Sequence, residues 1–364
     1  MQNRDILFLH HALRLAERGL GRTWPNPSVG SVLVKDDVLL AVARTGDGGR
    51  PHAEAQALAI ADAAARGATA YVSLEPCAHQ GQTTPCAQAL IDAGVARVVI
   101  AAVDPDARVN GKGIAMLKAA GIEVEVMALP EAALVNRGFF RRIQQGLPYV
   151  AMKLATSLDN RLSVAPGVQH WVTGEMARAH GHRLRGMFDC VITGIGTVLI
   201  DDPLYTVRAP NAPHTNLVRV VCDRSLRLPL TSKLVKTANQ HPVWLITHAA
   251  AVENAASHAT ELREAGVKFM VLEDAALSPT SILKALAGEG ITRALVEAGG
   301  GLSAAFLDTD MVETLHWYRA PVLLGNAGQS AIDALDNSLQ TIQRSQLLET
   351  RTLGGDIYER YELR

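Results

Sequence analysis

The sequence is short of cysteine, of net charge and of long apolar runs, and each shortage excludes something. Cys77, Cys86, Cys190 and Cys222 are the only four cysteines in 364 residues. That is too few for a disulfide framework and suits a reducing compartment. A formal net charge of -1 offers no basic stripe for nucleic acid and no pull toward an anionic membrane. No uncharged apolar stretch approaches the roughly 18 residues that a membrane-spanning helix needs. The apolar run Ile6-Leu7-Phe8-Leu9 is too short for a signal-peptide core, and no small-residue cleavage site follows it, so a cytoplasmic location is expected. A complete G-x-G-x-x-G is also missing, which argues against an ordinary dinucleotide-binding fold.

The rest is ordinary globular material. Hydrophobic residues make up 48% and charged residues 20% of the chain, enough for two cores at roughly 150 residues per domain. Periodicity predicts an amphipathic helix over 5–19 capped by Asp5, then a hairpin of Val29–Val34 and Val38–Ala43 turning at Lys35-Asp36-Asp37. A helix over 52–65, a strand over 70–74, a helix over 87–93 opened by Pro85, a strand over 97–103, a helix over 113–120 and a strand over 123–127 follow. A helix over 129–145 leads to Gln144-Gln145-Gly146-Leu147-Pro148, which breaks the periodicity and marks a domain boundary. Beyond it the pattern predicts strands over 149–155, 189–193, 218–222, 243–247, 267–272 and 294–297. Helices are expected over 173–185 with Thr173 as N-cap, over 253–264, and over 302–308 after Gly299-Gly300-Gly301. Strand, glycines and helix in that order can bring backbone N–H groups up to a phosphate; three glycines are also simply a flexible turn.

The chemistry concentrates in His52-Ala53-Glu54, Pro76-Cys77 and Pro85-Cys86. Zinc nucleobase deaminases carry H-x-E followed by P-C-x-x-C, with the glutamate as acid/base rather than ligand. Here eight residues separate the cysteines. His52, Cys77 and Cys86 would supply three ligands, leaving the fourth position of a tetrahedral catalytic zinc for water. Glu54 would move the protons. Cys86 at a helix N-terminus is expected to favour thiolate. Alternatively, His79 completes a structural four-ligand site, or the three residues are core; a structural site has no use for Glu54.

Pro25-Asn26-Pro27-Ser28-Val29-Gly30, His52-Ala53-Glu54, Glu75-Pro76-Cys77-Ala78-His79, Thr83-Thr84-Pro85-Cys86 and Asp104-Pro105 together resemble the riboflavin-biosynthesis pyrimidine deaminases, whose members often carry a C-terminal reductase. Thr84 stands where that family usually has proline. Lys153-Leu154-Ala155-Thr156-Ser157-Leu158-Asp159, His170-Trp171-Val172-Thr173, Asp201-Asp202-Pro203-Leu204 and Val207-Arg208 resemble the reductase domain of the same pathway. Asn160 replaces the usual glycine there and tolerates the same left-handed turn.

The resemblance implies an α/β protein. Its N-terminal part (1–146) would be a cytidine deaminase-like three-layer domain, and its C-terminal part (147–364) a dihydrofolate reductase-like domain. It implies one zinc ion per chain, and NADPH held by Ala155, Trp171, Thr197, Asp201, Gly299, Gly300, Gly301, Leu302 and Ser303. It also implies a phosphorylated ribosylaminopyrimidine held by Asn26, Lys153, Gln169, Arg185, Leu204, Arg208 and Glu297. The two arginines make sense from elementary chemistry as well, because a guanidinium fork matches a phosphate, although any single surface Arg is more often an ion-pair partner. The expected reactions are hydrolytic deamination of 2,5-diamino-6-ribosylaminopyrimidinone 5′-phosphate, then reduction of the ribosyl to a ribityl chain. A homo-oligomer, a dimer, is the expected assembly. The competing readings are a deaminase of another base with a non-catalytic nucleotide-binding C-terminal domain, and a zinc-stabilised binding protein without activity.

Overall fold

The chain divides into two units, Met1–Leu147 and Pro148–Arg364. The computed structural model describes residues 2–80, 84–165, 171–208, 216–335 and 345–363.

In the first unit the order is α1 (Gln2–Glu17), β1 (Gly30–Lys35), β2 (Val38–Arg44), α2 (Ala53–Ala61), β3 (Thr69–Val72), α3 (Cys86–Asp92), β4 (Arg97–Ile100), α4 (Lys112–Ala119), β5 (Glu123–Val126), α5 (Pro130–Val135) and α6 (Arg137–Gln145). The strands form one sheet in the order β2-β1-β3-β4-β5. The first three pair antiparallel and the last three parallel. Strand alternation divides the core into two faces. Val32 and Val34 pack with Leu9, Leu13 and Ala16 of α1, whereas Leu33 packs with Ala57, Leu90 and Leu117 of α2, α3 and α4. Helices therefore cover both faces, a three-layer arrangement.

Several expectations change here. Asp5 is not a cap: it lies inside α1, buried, accepting from Tyr71 Oη (2.7 Å) and Arg97 Nη1 (2.9 Å). The helix expected over 129–145 is broken at Asn136, whose buried amide accepts from Ser28 N–H and donates to Ser28 O, both at 3.0 Å. That long-range clip displaces the residue from helical geometry. The helix expected over 52–65 ends at Ala61 and continues only as a 3-10 turn over Asp62–Ala65.

The second unit contains β6 (Tyr149–Thr156), β7 (Arg161–Ser163), α7 (Glu175–Arg185), β8 (Cys190–Gly194), α8 (Ile195–Asp201), β9 (Val218–Cys222), α9 (Lys233–Lys236), β10 (Val243–His248), α10 (Ala249–Asn254), α11 (Ala256–Glu264), β11 (Val267–Leu272), α12 (Pro279–Gly288), β12 (Arg293–Val296), α13 (Gly300–Leu307), β13 (Thr314–Arg319), β14 (Gln329–Ser330), β15 (Gln346–Leu353) and β16 (Asp356–Glu362). Nine of these strands form a sheet ordered β11-β10-β9-β8-β12-β6-β13-β16-β15. Every pair is parallel except β13/β16 and β16/β15. β8 and β10 read as continuous apolar runs because parallel strands are buried on both faces. Asn160 has φ 60°, so the left-handed turn forms. Gly174, not Thr173, caps α7; its N–H donates to Asp356 Oδ2 (2.6 Å). The helix expected over 253–264 is divided into α10 and α11, and α13 begins within the glycines themselves. Among the described residues no helix is long and apolar enough to cross a membrane.

Candidate active sites

In the first unit, His52 precedes α2 with extended backbone (φ -68°, ψ 156°). Residues two positions apart on a helix, as His52 and Glu54 would be, point roughly 200° apart, and leaving the helix at His52 removes that obstacle. The ring and the buried Glu54 carboxyl then reach the same place. Cys86 opens α3, and Cys77 follows β3 in a turn stitched from two sides. The Cys86 N–H donates to Cys77 Sγ (3.3 Å), and Ala87 N–H donates to Cys77 O (3.1 Å). On the other side the buried Glu75 carboxylate accepts from four N–H groups, those of Asp104 (3.3 Å), Gly111 (3.0 Å), Gly113 (3.0 Å) and Ile114 (3.2 Å). A carboxylate facing the first turn of α4 also suits the positive end of that helix. Asn26 braces the chain before His52, its Nδ2 donating to Gly49 O (3.0 Å).

The three donors converge. His52 Nδ1 is 3.3 Å from Cys86 Sγ and 3.6 Å from Cys77 Sγ, and all three ligand atoms lie within 4.8 Å of one another. Two sulfurs and one imidazole at such spacing match one face of a zinc tetrahedron. Among the described residues no other His, Cys, Asp or Glu joins the group. His79 stays outside it, its Nδ1 enclosed without a partner.

The charges follow the contacts. Cys77 is drawn down to about 4, chiefly by the hydrogen bond from the Cys86 thiol, with His52 and the Cys86 N–H adding to it. His52 is raised, first by its bond to Cys77. Cys86 is pushed well above the usual thiol range by that same contact, by burial and by Glu54. Cys86 does open α3, and its N–H donates to the Cys77 sulfur, so that in the absence of a cation the proton shared by the two sulfurs lies toward Cys86. Glu54 rises to about 7, mainly through burial and secondarily through the Cys77 charge. A divalent cation at this point would take the place of the shared protons.

The second unit holds a cleft of about 550 Å³ at the carboxyl ends of the parallel strands, where open α/β sheets bind ligands. Ala155, Trp171, Thr197, Asp201, Gly299, Gly300, Gly301 and Leu302 line it, as do Lys153, Arg185, Leu204, Arg208 and Glu297. Ser303 does not: it is fully buried, with its hydroxyl on Ala298 O (3.3 Å). Gln169 lies outside the described residues. A methyl on Gly300 would meet Asp333 Oδ1 at 2.3 Å and the Ser330 carbonyl oxygen at 2.9 Å, so glycine lets that backbone approach. The open N–H groups of the first turn of α13 face the cleft and suit an anionic cofactor.

Arg185 and Glu297 form a buried bidentate pair, Nε–Oε1 2.8 Å and Nη2–Oε2 3.0 Å, and Lys153 Nζ joins it at 3.5 Å. Burial alone would raise Glu297; Arg185 and Lys153 overcome it and hold the carboxyl near 2. His182, Tyr205 and Tyr318 also line the cleft and were not anticipated. His182 could have been found from its place three residues before Arg185, on the same helix face. The tyrosines carried no local signal.

Fold and sites together define a two-part enzyme, a zinc-dependent deaminase joined to a reductase. The model of the cytidine and deoxycytidylate deaminase zinc-binding region matches residues 2–102, and that of the RibD C-terminal domain matches residues 148–358. The riboflavin biosynthesis protein RibD of Haemophilus influenzae is 38% identical over 98% of this chain and 96% of its own. That of Escherichia coli is 36% identical over 97% and 98%. Among solved structures, Acinetobacter baumannii RibD superposes with a TM-score of 0.90 at 38% identity, covering 100% of both chains. A Thermotoga maritima diaminohydroxyphosphoribosylaminopyrimidine deaminase/5-amino-6-(5-phosphoribosylamino)uracil reductase gives 0.86 at 28% identity, over 98% of both. The chain belongs to the RibD family of bifunctional riboflavin-biosynthesis enzymes. Its cofactors are zinc and NADPH, and it acts on a small molecule.

Proposed function

We propose that the first unit removes an exocyclic amine from a diaminohydroxyphosphoribosylaminopyrimidine, and that the second reduces the resulting 5-amino-6-(5-phosphoribosylamino)uracil to its open ribityl form. The substrates are those named for the Thermotoga maritima relative. The observation that carries the reading is the buried Glu54 carboxyl beside the three-donor face of His52, Cys77 and Cys86.

His52, Cys77 and Cys86 would hold the zinc, which when bound supplies a water activated near neutral pH. Glu54 moves the protons: its carboxylate accepts one from the attacking water, and its carboxyl releases one to the departing amine nitrogen. A group near 7 can do both at neutral pH. Glu75 holds the Cys77 turn, and Asn26 holds the segment leading to His52, so both position the site.

In the second unit NADPH supplies the hydride. Ala155, Trp171, Thr197, Asp201 and Gly299–Leu302 would receive that cofactor; Lys153, Leu204, Arg208 and the Arg185–Glu297 pair would orient the sugar phosphate. The residues' contribution is positioning. A cytoplasmic homo-oligomer fits the free thiols and edge strand β15, whose exposed Leu347 and Leu348 an assembly would cover.

Glu54→Gln is the test. Zinc content should stay at one per chain while ammonia release falls about a hundredfold or more. Full ammonia release with zinc retained would remove Glu54 from the chemistry.

A further inference from the structure

The cleft of the second unit distinguishes two arginines that look alike in sequence. The Arg185 fork is already engaged, bidentate to Glu297 (2.8 and 3.0 Å) and donating through Nη1 to Thr206 O (3.0 Å). Arg208 has no ion pair among the described residues and lies beside Arg185, whose charge together with burial depresses it. A phosphate monoester presents three strong acceptor oxygens and close to two negative charges. Arg208 alone leaves that demand unmet.

His182 is the remaining donor. It lines the cleft one turn before Arg185 on α7. Its Nδ1 lies 3.1 Å from Thr206 O and 3.1 Å from Arg185 Nη1. Nε2 has no partner among the described residues. We propose that His182 is a phosphate-recognition residue of the reductase cleft, donating from Nε2–H to the substrate 5′-phosphate beside Arg208, with its Nδ1 accepting from Arg185 Nη1. The proposal rests on the reading above that this end of the cleft takes the phosphate.

The charged groups facing His182 are Arg185 on its own helix, Arg208 from the 202–208 segment and Glu297 at the end of β12. Burial first, then Arg185 and Arg208, hold the imidazole neutral, near 4; Glu297 opposes them, but it is already paired with Arg185. The neutral ring suits this place: with its proton on Nε2 it accepts from Arg185 Nη1 at Nδ1 and donates to a phosphate oxygen, while Thr206 O keeps its bond from Arg185 Nη1.

The test uses the full chain with NADPH and two probes, 5-amino-6-(5-phosphoribosylamino)uracil and its dephosphorylated form. His182→Asn and His182→Gln should raise KM for the phosphorylated probe about tenfold, the scale of one charge-assisted hydrogen bond. kcat should change little, and KM for the dephosphorylated probe should not move. An unchanged KM, or an equal loss on both probes, would overturn the role of His182. Arg208→Ala separates the two layers: if it leaves the preference for the phosphorylated probe intact, the phosphate reading of the cleft itself fails. A check that needs no variant is the His182 imidazole resonance, which should shift when ribose 5-phosphate is added and stay in place with ribose; an unmoved resonance with ribose 5-phosphate also overturns the proposal.

Discussion

Glu297 shows how far a residue's role depends on its neighbours. From sequence it is an acid at the end of an apolar strand; in the fold it is almost fully buried between Arg185 and Lys153. Its folded pKa of about 2 lies below the ordinary 4.5. The pair therefore contributes stability that is complete above 4.5 and is lost as pH falls from 4.5 toward 2, on the order of 3 kcal/mol if that shift is fully expressed. Arg185→Ala should cost about 3–5 kcal/mol, because it strands a buried charge. It should also remove the acid-limb loss of stability expected of the wild type between those pH values, which melting curves of both proteins would show. A variant melting like wild type at pH 7 would show the pair to be energetically idle. The same dependence holds at the thiols: Cys86 stands at a helix start in the sequence, but that its N–H meets the Cys77 sulfur is a tertiary fact.

At the scale of elements, most strands are legible because buried parallel strands are continuous apolar runs with glycine or proline at their ends. Helix boundaries are less so. Asn136 divides a periodic stretch only because Ser28, 108 residues away, meets its amide. Helix α12 was not anticipated, although Pro279 at its start and Ile282, Leu283 and Leu286 at helical spacing were there to be read. The approach of α4 to the metal turn was invisible in sequence. A methyl on Gly113 would strike the Pro76 carbonyl oxygen and crowd the Glu75 carboxylate. Gly113→Ala should therefore push the Cys77 turn out of place, destabilising by about 1–3 kcal/mol. It should also weaken zinc retention in a chelator competition. Unchanged zinc retention would mean that α4 does not position Cys77.

At the scale of the molecule, two units carry separate cores and separate sites. Every zinc-ligand candidate lies before residue 147 and every residue of the large cleft after it. Cys86→Ser should accordingly lose zinc and ammonia release while keeping NADPH oxidation on supplied 5-amino-6-(5-phosphoribosylamino)uracil. Metal analysis and the two assays run side by side check this; loss of both activities in a folded protein would contradict it.

The sequence by itself determined the grouping of His52, Cys77 and Cys86, the layered α/β architecture and, through resemblance, the family with its zinc and NADPH, because motif chemistry and apolar period are local properties of the chain. Only the tertiary structure decided which groups share a charge. It brought Arg185 to Glu297 across 112 positions, turned Ser303 away from the cleft and brought His182 to its wall. Electrostatic partnership depends on distance through space, and separation along the chain does not encode it.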